Sequence, residues 1–69
     1  MKTTQTFGSI TIEMNENGHY LATGYYGFTA VIKKGMSADQ IEILMATQGM
    51  MAGDMGFSKA LVYLAGWAA

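Results

Sequence analysis

The side chains that could support acid, base or nucleophilic chemistry are few and scattered in this sequence of 69 residues. His19 is the only imidazole, the group best suited to general acid and base catalysis near neutral pH. It directly follows an Asn-Gly pair, so we interpret it as a polar residue beside a turn. No serine lies in a nucleophile-elbow sequence, and the carboxylates are dispersed, at Glu13, Glu16, Asp39, Glu42 and Asp54. The pattern therefore predicts a protein that is not an enzyme and has no catalytic residues.

Composition limits the remaining functions. The chain has no cysteine and one histidine, so we expect neither a disulfide nor a metal site, and no cofactor. Charged residues make up 13% of the sequence, about half of the usual ~25%. Some apolar surface must therefore be exposed in the monomer. A net charge of -1 provides no strong attraction to nucleic acid.

Methionine and glycine are concentrated in the stretch G-M-M-A-G-D-M-G, from Gly49 to Gly56. Methionine is flexible and polarizable, so it suits both irregular cores and surfaces that repack against a partner. Consecutive Met50 and Met51 cannot both point into one core, and we expect at least one of them to be exposed. The methionines Met50, Met51 and Met55 are accordingly candidate contact residues.

The first half of the chain has the pattern of antiparallel strands. Alternating apolar residues predict a half-buried strand over about 8–14, and the Asn17-Gly18 pair after it predicts a hairpin turn with positive φ at both residues. Residues 19–33 are rich in β-formers but contain Gly24 and Gly27. Either one long bent strand or two strands fit this segment. We favour two strands, about 19–25 and 27–33, which turn at 25–27.

The second half of the chain predicts two helices. In M-S-A-D-Q-I, Ser37 and Gln40 have the spacing of a capping box, so a helix is expected over about 38–51. A second apolar helix is expected over about 57–67. The glycines favour a break near 53–54, with Asp54 or Ser58 capping the second helix. The predicted fold is α+β in a single domain, 1–69: a small antiparallel sheet (a β-hairpin or a three-stranded meander) followed by two short helices packed on one face.

Aromatic residues near two lysines suggest a second class of function. Tyr20, Tyr25, Tyr26 and Phe28 precede Lys33 and Lys34, and aromatic side chains on a sheet can stack the bases of single-stranded nucleic acid. We favour a structural interpretation, in which alternate members pack the core while the others cover the open face, because two lysines do not make a basic groove. A helix-turn-helix reader is also disfavoured, since the second helix has only Lys59 as a cation. A nucleic-acid partner is therefore not expected.

A membrane role is a further alternative. The runs 43–53 and 60–69 are uncharged, and G-M-M-A-G has the form of a G-x-x-x-G helix contact. Both runs are shorter than the roughly 18 to 20 residues of a spanning helix. Peripheral or oligomer-dependent association thus remains the only membrane role that we consider. The start of the chain, M-K-T-T-Q-T-F-G-S, lacks the apolar segment of a signal peptide, so we expect a cytoplasmic protein.

Protein binding is the function that these observations favour. An apolar second helix cannot turn every side inward in so small a domain, so we expect some of Tyr63, Val62 and Trp67 to be exposed, with Trp67 as an anchor. With Tyr25 and Tyr26 from the sheet, the candidate interface residues are Met50, Met51, Met55, Tyr63, Trp67, Tyr25 and Tyr26.

The leading hypothesis is a non-enzymatic protein-binding domain that occludes or bridges surfaces of a larger assembly. In size and type the chain looks like the small inhibitors and regulators made by phages and mobile elements, including anti-CRISPR proteins, although no motif carries this likeness. The main alternative is a homo-oligomeric structural or accessory protein, in which two copies bury apolar surface on each other.

Overall fold

Four antiparallel strands precede two helices in this chain. The computed structural model describes residues 4–50 and 56–69, and the strands form one sheet in the order β1-β2-β3-β4. The α+β class predicted from the sequence is confirmed. The elements are β1 (Thr4–Phe7), β2 (Ile10–Met14), β3 (Tyr20–Thr23), β4 (Thr29–Ile32), α1 (Ala38–Thr47) and α2 (Phe57–Ala68).

Strand β1 is the element that the sequence pattern did not predict. It pairs with β2, with Phe7 opposite Ile10 and Gln5 opposite Ile12. Gln5 and Phe7 are its two half-buried residues, so one of its two inward positions is polar. The apolar alternation that marks a strand is therefore incomplete in T-Q-T-F. The sheet consequently has four strands, one more than the expected meander.

The two strands expected in the segment 19–33 are confirmed, and they turn at 25–27. The Gly24 N–H donates to the Phe28 carbonyl at 3.2 Å, and the Gly27 N–H donates to the Gly24 carbonyl at 3.0 Å. Gly27 has a φ of 84°, which identifies a three-residue loop that ends in a glycine bulge. The loop between β2 and β3 has the same form, with φ of 80° at Gly18. Asn17 does not have the positive φ that we expected, because the loop has three residues instead of two.

Helix α1 begins where the capping box predicts. The Gln40 N–H donates to Ser37 Oγ at 3.1 Å, and the Ser37 N–H donates to Gln40 Oε1 at 2.9 Å. Ile41 and Met45 are fully buried one turn apart. The helix ends at Thr47, short of the expected position 51, and Gly49 follows it with a φ of 79°.

Helix α2 begins at Phe57 and ends at Ala68, close to the expected bounds. Its N-cap residue is Gly56, and no side chain among the described residues caps it. Ser58 lies in the first turn and is exposed, so it is not the cap that we expected. The predicted break at 53–54 and the alternative cap, Asp54, lie outside the described residues.

The core lies between one face of the sheet and the two helices. The sheet contributes its alternate residues, because successive side chains of a strand point to opposite faces. Helix α2 packs on β1 and β2, whereas α1 packs on β4 and on α2. The buried residues are Ile10, Ile12, Tyr20, Ala22, Ala30, Ile32, Ile41, Met45, Met50, Phe57, Ala60, Leu64 and Ala68.

The start of α2 makes a close backbone contact that depends on glycine. A Cβ on Gly56 would overlap the carbonyl group of Phe7 and would lie 2.7 Å from the Gly8 nitrogen. Gly56→Ala should therefore lower the free energy of unfolding by about 2 kcal/mol or more, since a rigid backbone has to move. Urea denaturation followed by circular dichroism measures this loss.

The control is Gly66→Ala, in the interior of the same helix, where a Cβ would meet nothing within 4 Å. This variant should be more stable than the wild type by about 1 kcal/mol, because alanine is the better helix former. Equal stability of Gly56→Ala and the wild type would contradict the close contact.

Candidate protein-binding surface

Exposed apolar side chains are concentrated in one hairpin. Of the six large apolar residues that are exposed in the described part of the chain, four lie within 25–31. Their exposed fractions are 79% for Tyr25, 61% for Tyr26, 60% for Phe28 and 41% for Val31. The other two, Ile43 and Val62, lie singly on α1 and α2. We call Tyr25, Tyr26, Phe28 and Val31 the aromatic hairpin surface.

The turn geometry explains why the rings of Tyr25 and Tyr26 are exposed. Tyr25 and Tyr26 occupy the first two positions of the three-residue loop, beyond the last pair of the β3–β4 ladder, Thr23 and Thr29. The two rings contact each other edge to face, with centroids 5.4 Å apart. The hydroxyls of Thr23 and Thr29 lie 3.2 Å apart and close the ladder on the open face of the sheet.

The hairpin rests on the start of the glycine and methionine stretch. The Tyr26 ring passes 3.5 Å from the position that a Cβ on Gly49 would occupy. Met50 packs against Gly24, where a Cβ would lie only 2.7 Å from the Met50 Cγ. Met50 is 1% exposed, so this candidate contact residue belongs to the core of the chain. Met51 and Met55 lie outside the described residues.

Strand β4 forms an edge of the sheet, since it pairs with β3 alone among the described strands. Opposite residues of an antiparallel ladder alternate between hydrogen-bonded and non-hydrogen-bonded pairs. The bond from Gly24 to Phe28 identifies the first pair as hydrogen-bonded. It follows that the N–H and C=O groups of Thr29 and Val31 point away from β3. The next outward N–H, that of Lys33, donates to the Met36 sulfur at 3.2 Å.

Tyr63 and Trp67 are half-buried on the face of α2 that packs against the sheet. The Trp67 ring contacts Tyr20 edge to face at 4.7 Å, and the Tyr63 ring lies 5.8 Å from Tyr20 and 5.7 Å from Phe7. We call these four rings the aromatic row. Tyr63 and Trp67 thus have a packing role that accounts for much of their apolar surface.

A chain of hydrogen bonds follows the aromatic row. Gln5 Nε2 donates to the Tyr63 hydroxyl at 2.8 Å, and the hydroxyls of Tyr20 and Tyr63 lie 3.0 Å apart. The hydrogen bond to Tyr63 raises the pKa of Tyr20 above the ordinary value of 10.0, and burial and the nearby Tyr63 charge raise it further. The inward polar residue of β1 thus has a partner on α2.

The aromatic residues and lysines of the nucleic-acid alternative do not form one platform. Tyr20 is buried on the inner face of the sheet, whereas Tyr25 and Tyr26 are exposed at the turn. Lys34 Nζ donates to the Trp67 carbonyl at 2.6 Å and lies 4.9 Å from the centre of the Trp67 ring. This lysine therefore caps the carbonyl end of α2.

A shallow apolar groove of about 470 Å³ lies between β1 and α2. The candidate residue Tyr63 lines this groove beside β1, whereas the aromatic hairpin surface lies at the opposite side of the sheet, so the candidate interface residues do not share one surface. The groove is lined by Phe7, Ser58, Lys59, Val62 and Tyr63.

The sequence interpretation missed Phe28 and Val31. Both follow Gly27 in an apparently ordinary strand, F-T-A-V-I, and β-formers in a strand are usually at least half covered. Phe28 lies beside the turn, opposite Gly24, and Val31 lies on the open face of the edge strand. No local pattern specifies strand order or which face of a sheet is covered. We expected His19 to be a polar residue beside a turn. In the structure its backbone N–H donates to Asn15 Oδ1 at 3.0 Å, beside that turn.

The comparisons with known proteins find no family model, no curated protein and no solved structure that matches this chain. In the described residues, no three histidine, aspartate or glutamate side chains are grouped so that they could hold a metal ion. Neither α1 nor α2 combines the length and the apolar character that crossing a membrane requires.

The raised pKa of Tyr20 predicts a loss of stability in alkaline solution. The folded protein holds the Tyr20 proton more tightly than the unfolded chain, so the free energy of unfolding falls as the pH rises above 10.0. Tyr20→Phe removes this proton, and its stability should decrease less between pH 8 and about 11. Denaturant unfolding at several pH values measures the difference in slope.

Tyr25→Phe is the matched control, because it removes a hydroxyl but leaves the bond between Tyr20 and Tyr63 intact. It should follow the wild type at every pH. A Tyr20→Phe variant with the same alkaline slope as the wild type would show that the bond has no part in this dependence.

Proposed function

We propose that this chain is a non-enzymatic protein-binding domain that contacts its partner through the aromatic hairpin surface. It would act in the cytoplasm as a small inhibitor or regulator, of the type made by phages and mobile elements, by occluding or bridging surfaces of a larger protein assembly. The single observation that supports this proposal is the clustering of four of the six exposed large apolar residues within 25–31.

The chemistry of these side chains suits a protein interface. Tyrosine and phenylalanine provide large contact areas with few rotatable bonds, and aromatic residues are enriched in the cores of interfaces. Exposed apolar groups that are contiguous, instead of scattered singly, are typical of interaction sites. Tyr25 and Tyr26 contact each other and lie in the same hairpin as Phe28 and Val31, whereas Ile43 and Val62 lie singly on the two helices.

The hairpin is also held in place before any partner binds. Tyr26 lies against Gly49, Met50 fills the space beside Gly24, and two backbone hydrogen bonds fix the loop. Less conformational entropy is lost when a preorganised surface binds than when a mobile loop does. The buried Met50 therefore supports the proposed contact indirectly, from beneath the hairpin.

Charge has little part in the proposed contact. Residues 25–31, Y-Y-G-F-T-A-V, include no charged side chain. Binding would then depend on apolar burial and hydrogen bonds, and we expect only a weak effect of salt on affinity. This separates the proposal from nucleic-acid binding, which weakens steeply as salt is added.

The test is affinity capture from a lysate of the native host, quantified by mass spectrometry. The double variant Tyr25→Ser/Tyr26→Ser should lose most of the proteins that the wild type captures, because it removes two exposed rings that contribute little to the core. Val62→Ser is the matched control, since Val62 is 72% exposed on α2, outside the hairpin.

Thermal unfolding of each variant provides the reference for folding. The proposal requires that the double variant melts close to the wild type and still fails to capture. Equal capture by the double variant and the control would contradict the assignment of the contact to the hairpin. Trp67→Ala is a weaker test, because Trp67 also packs on Tyr20 and its loss would lower stability.

A further inference from the structure

We propose that two copies of this chain associate through β4, with the two β4 strands antiparallel and the sheets joined into one of eight strands. This inference names a second copy as a partner for part of the aromatic hairpin surface, and to that extent it rests on the proposed function.

The outward backbone groups of β4, which bond to no other described strand, form a self-complementary set. The N–H and C=O groups of Thr29 and Val31 point away from β3, as the alternation of the ladder requires. In an antiparallel pair centred on Ala30, Thr29 of each copy lies opposite Val31 of the other. The four outward N–H and C=O groups of each copy are then all used, and four hydrogen bonds form. The Lys33 N–H, already bonded to Met36, is not needed.

The order of residues along β4 favours the antiparallel direction. The strand begins after the uncharged turn with Tyr25, Tyr26 and Phe28 and ends before Lys33. Antiparallel pairing brings the exposed Lys33 of each copy beside the aromatic turn of the other, where an ammonium group can lie over a ring. Parallel pairing would bring the two lysines together, and like charges would repel each other.

The side chains of this pairing are compatible with a continuous sheet. Thr29 and Val31 lie on the open face, where Val31 is opposite Leu21 and Thr29 is opposite Thr23 in the next strand. Across the proposed interface Val31 would meet Thr29, a pair of β-branched side chains of the kind that stabilises sheets. The strand contains neither proline nor charge within its bounds, Thr29–Ile32, so it lacks two usual protections of an edge.

The opposite edge of the sheet is less available. Gly56 packs directly against the backbone of Phe7 at the end of β1. Strands β1 and β4 are both edges among the described strands, but the end of β1 has the start of α2 against its backbone. This difference selects β4 as the edge that accepts a second copy.

The experiment is sedimentation velocity of the wild type and of two Val31 variants over a range of concentrations up to millimolar. The wild type should change from monomer to dimer as its concentration rises. Val31→Pro removes an outward N–H and should weaken dimerisation by about tenfold or more, while proline remains tolerated in an edge strand. Val31→Lys keeps the N–H but adds a charge beside the interface, and it should weaken dimerisation as well.

Val62→Lys is the control, because it adds the same charge at an exposed site on α2 and should dimerise like the wild type. Circular dichroism shows whether each variant is folded, and Val31→Lys decides the outcome if Val31→Pro does not fold. A wild type that stays monomeric, or a dimer that Val31→Lys leaves intact, would overturn the inference. A monomer whose capture of other proteins depends on Tyr25 and Tyr26 would overturn the pairing of β4 and leave the proposed function in place.

Discussion

The burial of one face of the sheet under two short helices is the constraint on which the rest of this structure depends. In so small a domain the apolar surface is sufficient for one core, and here the two helices cover the inner face of a four-stranded sheet. Among residues 4–50 and 56–69, no helix or strand covers the open face or the outer edge of β4. The open face is partly polar. One row of threonines runs across all four strands, with each residue opposite the next: Thr6, Thr11, Thr23 and Thr29.

Aromatic rings pack helix α2 against the sheet, and two of them also form hydrogen bonds through their hydroxyl groups. Tyr63 lies between Phe7 and Tyr20, and its hydroxyl is bonded to both Gln5 and Tyr20. Burial of apolar rings supplies most of the stabilisation, and the hydrogen bonds prevent the loss that unpaired buried polar atoms would cause. Because Tyr63 and Trp67 have this role, the hairpin, whose three rings are each 60% or more exposed, is the better candidate for a surface that binds a partner.

Local chemistry could be predicted from the sequence, whereas long-range arrangement could not. The capping box of Ser37 and Gln40 and the turn at Gly27 depend on residues within a few positions of one another, and both are present. Strand β1 was missed because its inward Gln5 is bonded to Tyr63, 58 positions away. The burial of Met50 against Gly24 likewise depends on packing between distant segments. No local spacing contains that information.

Amide hydrogen exchange along β4 tests most directly the claim that this strand is held from one side only. The measurement is made by NMR on dilute protein, below any concentration at which association is detected. The account predicts slow exchange for Ala30 and Ile32, whose N–H groups bond to β3, and fast exchange for Thr29 and Val31. Equal protection of all four amides in the dilute monomer would show that another part of the chain covers this edge, and it would contradict the account.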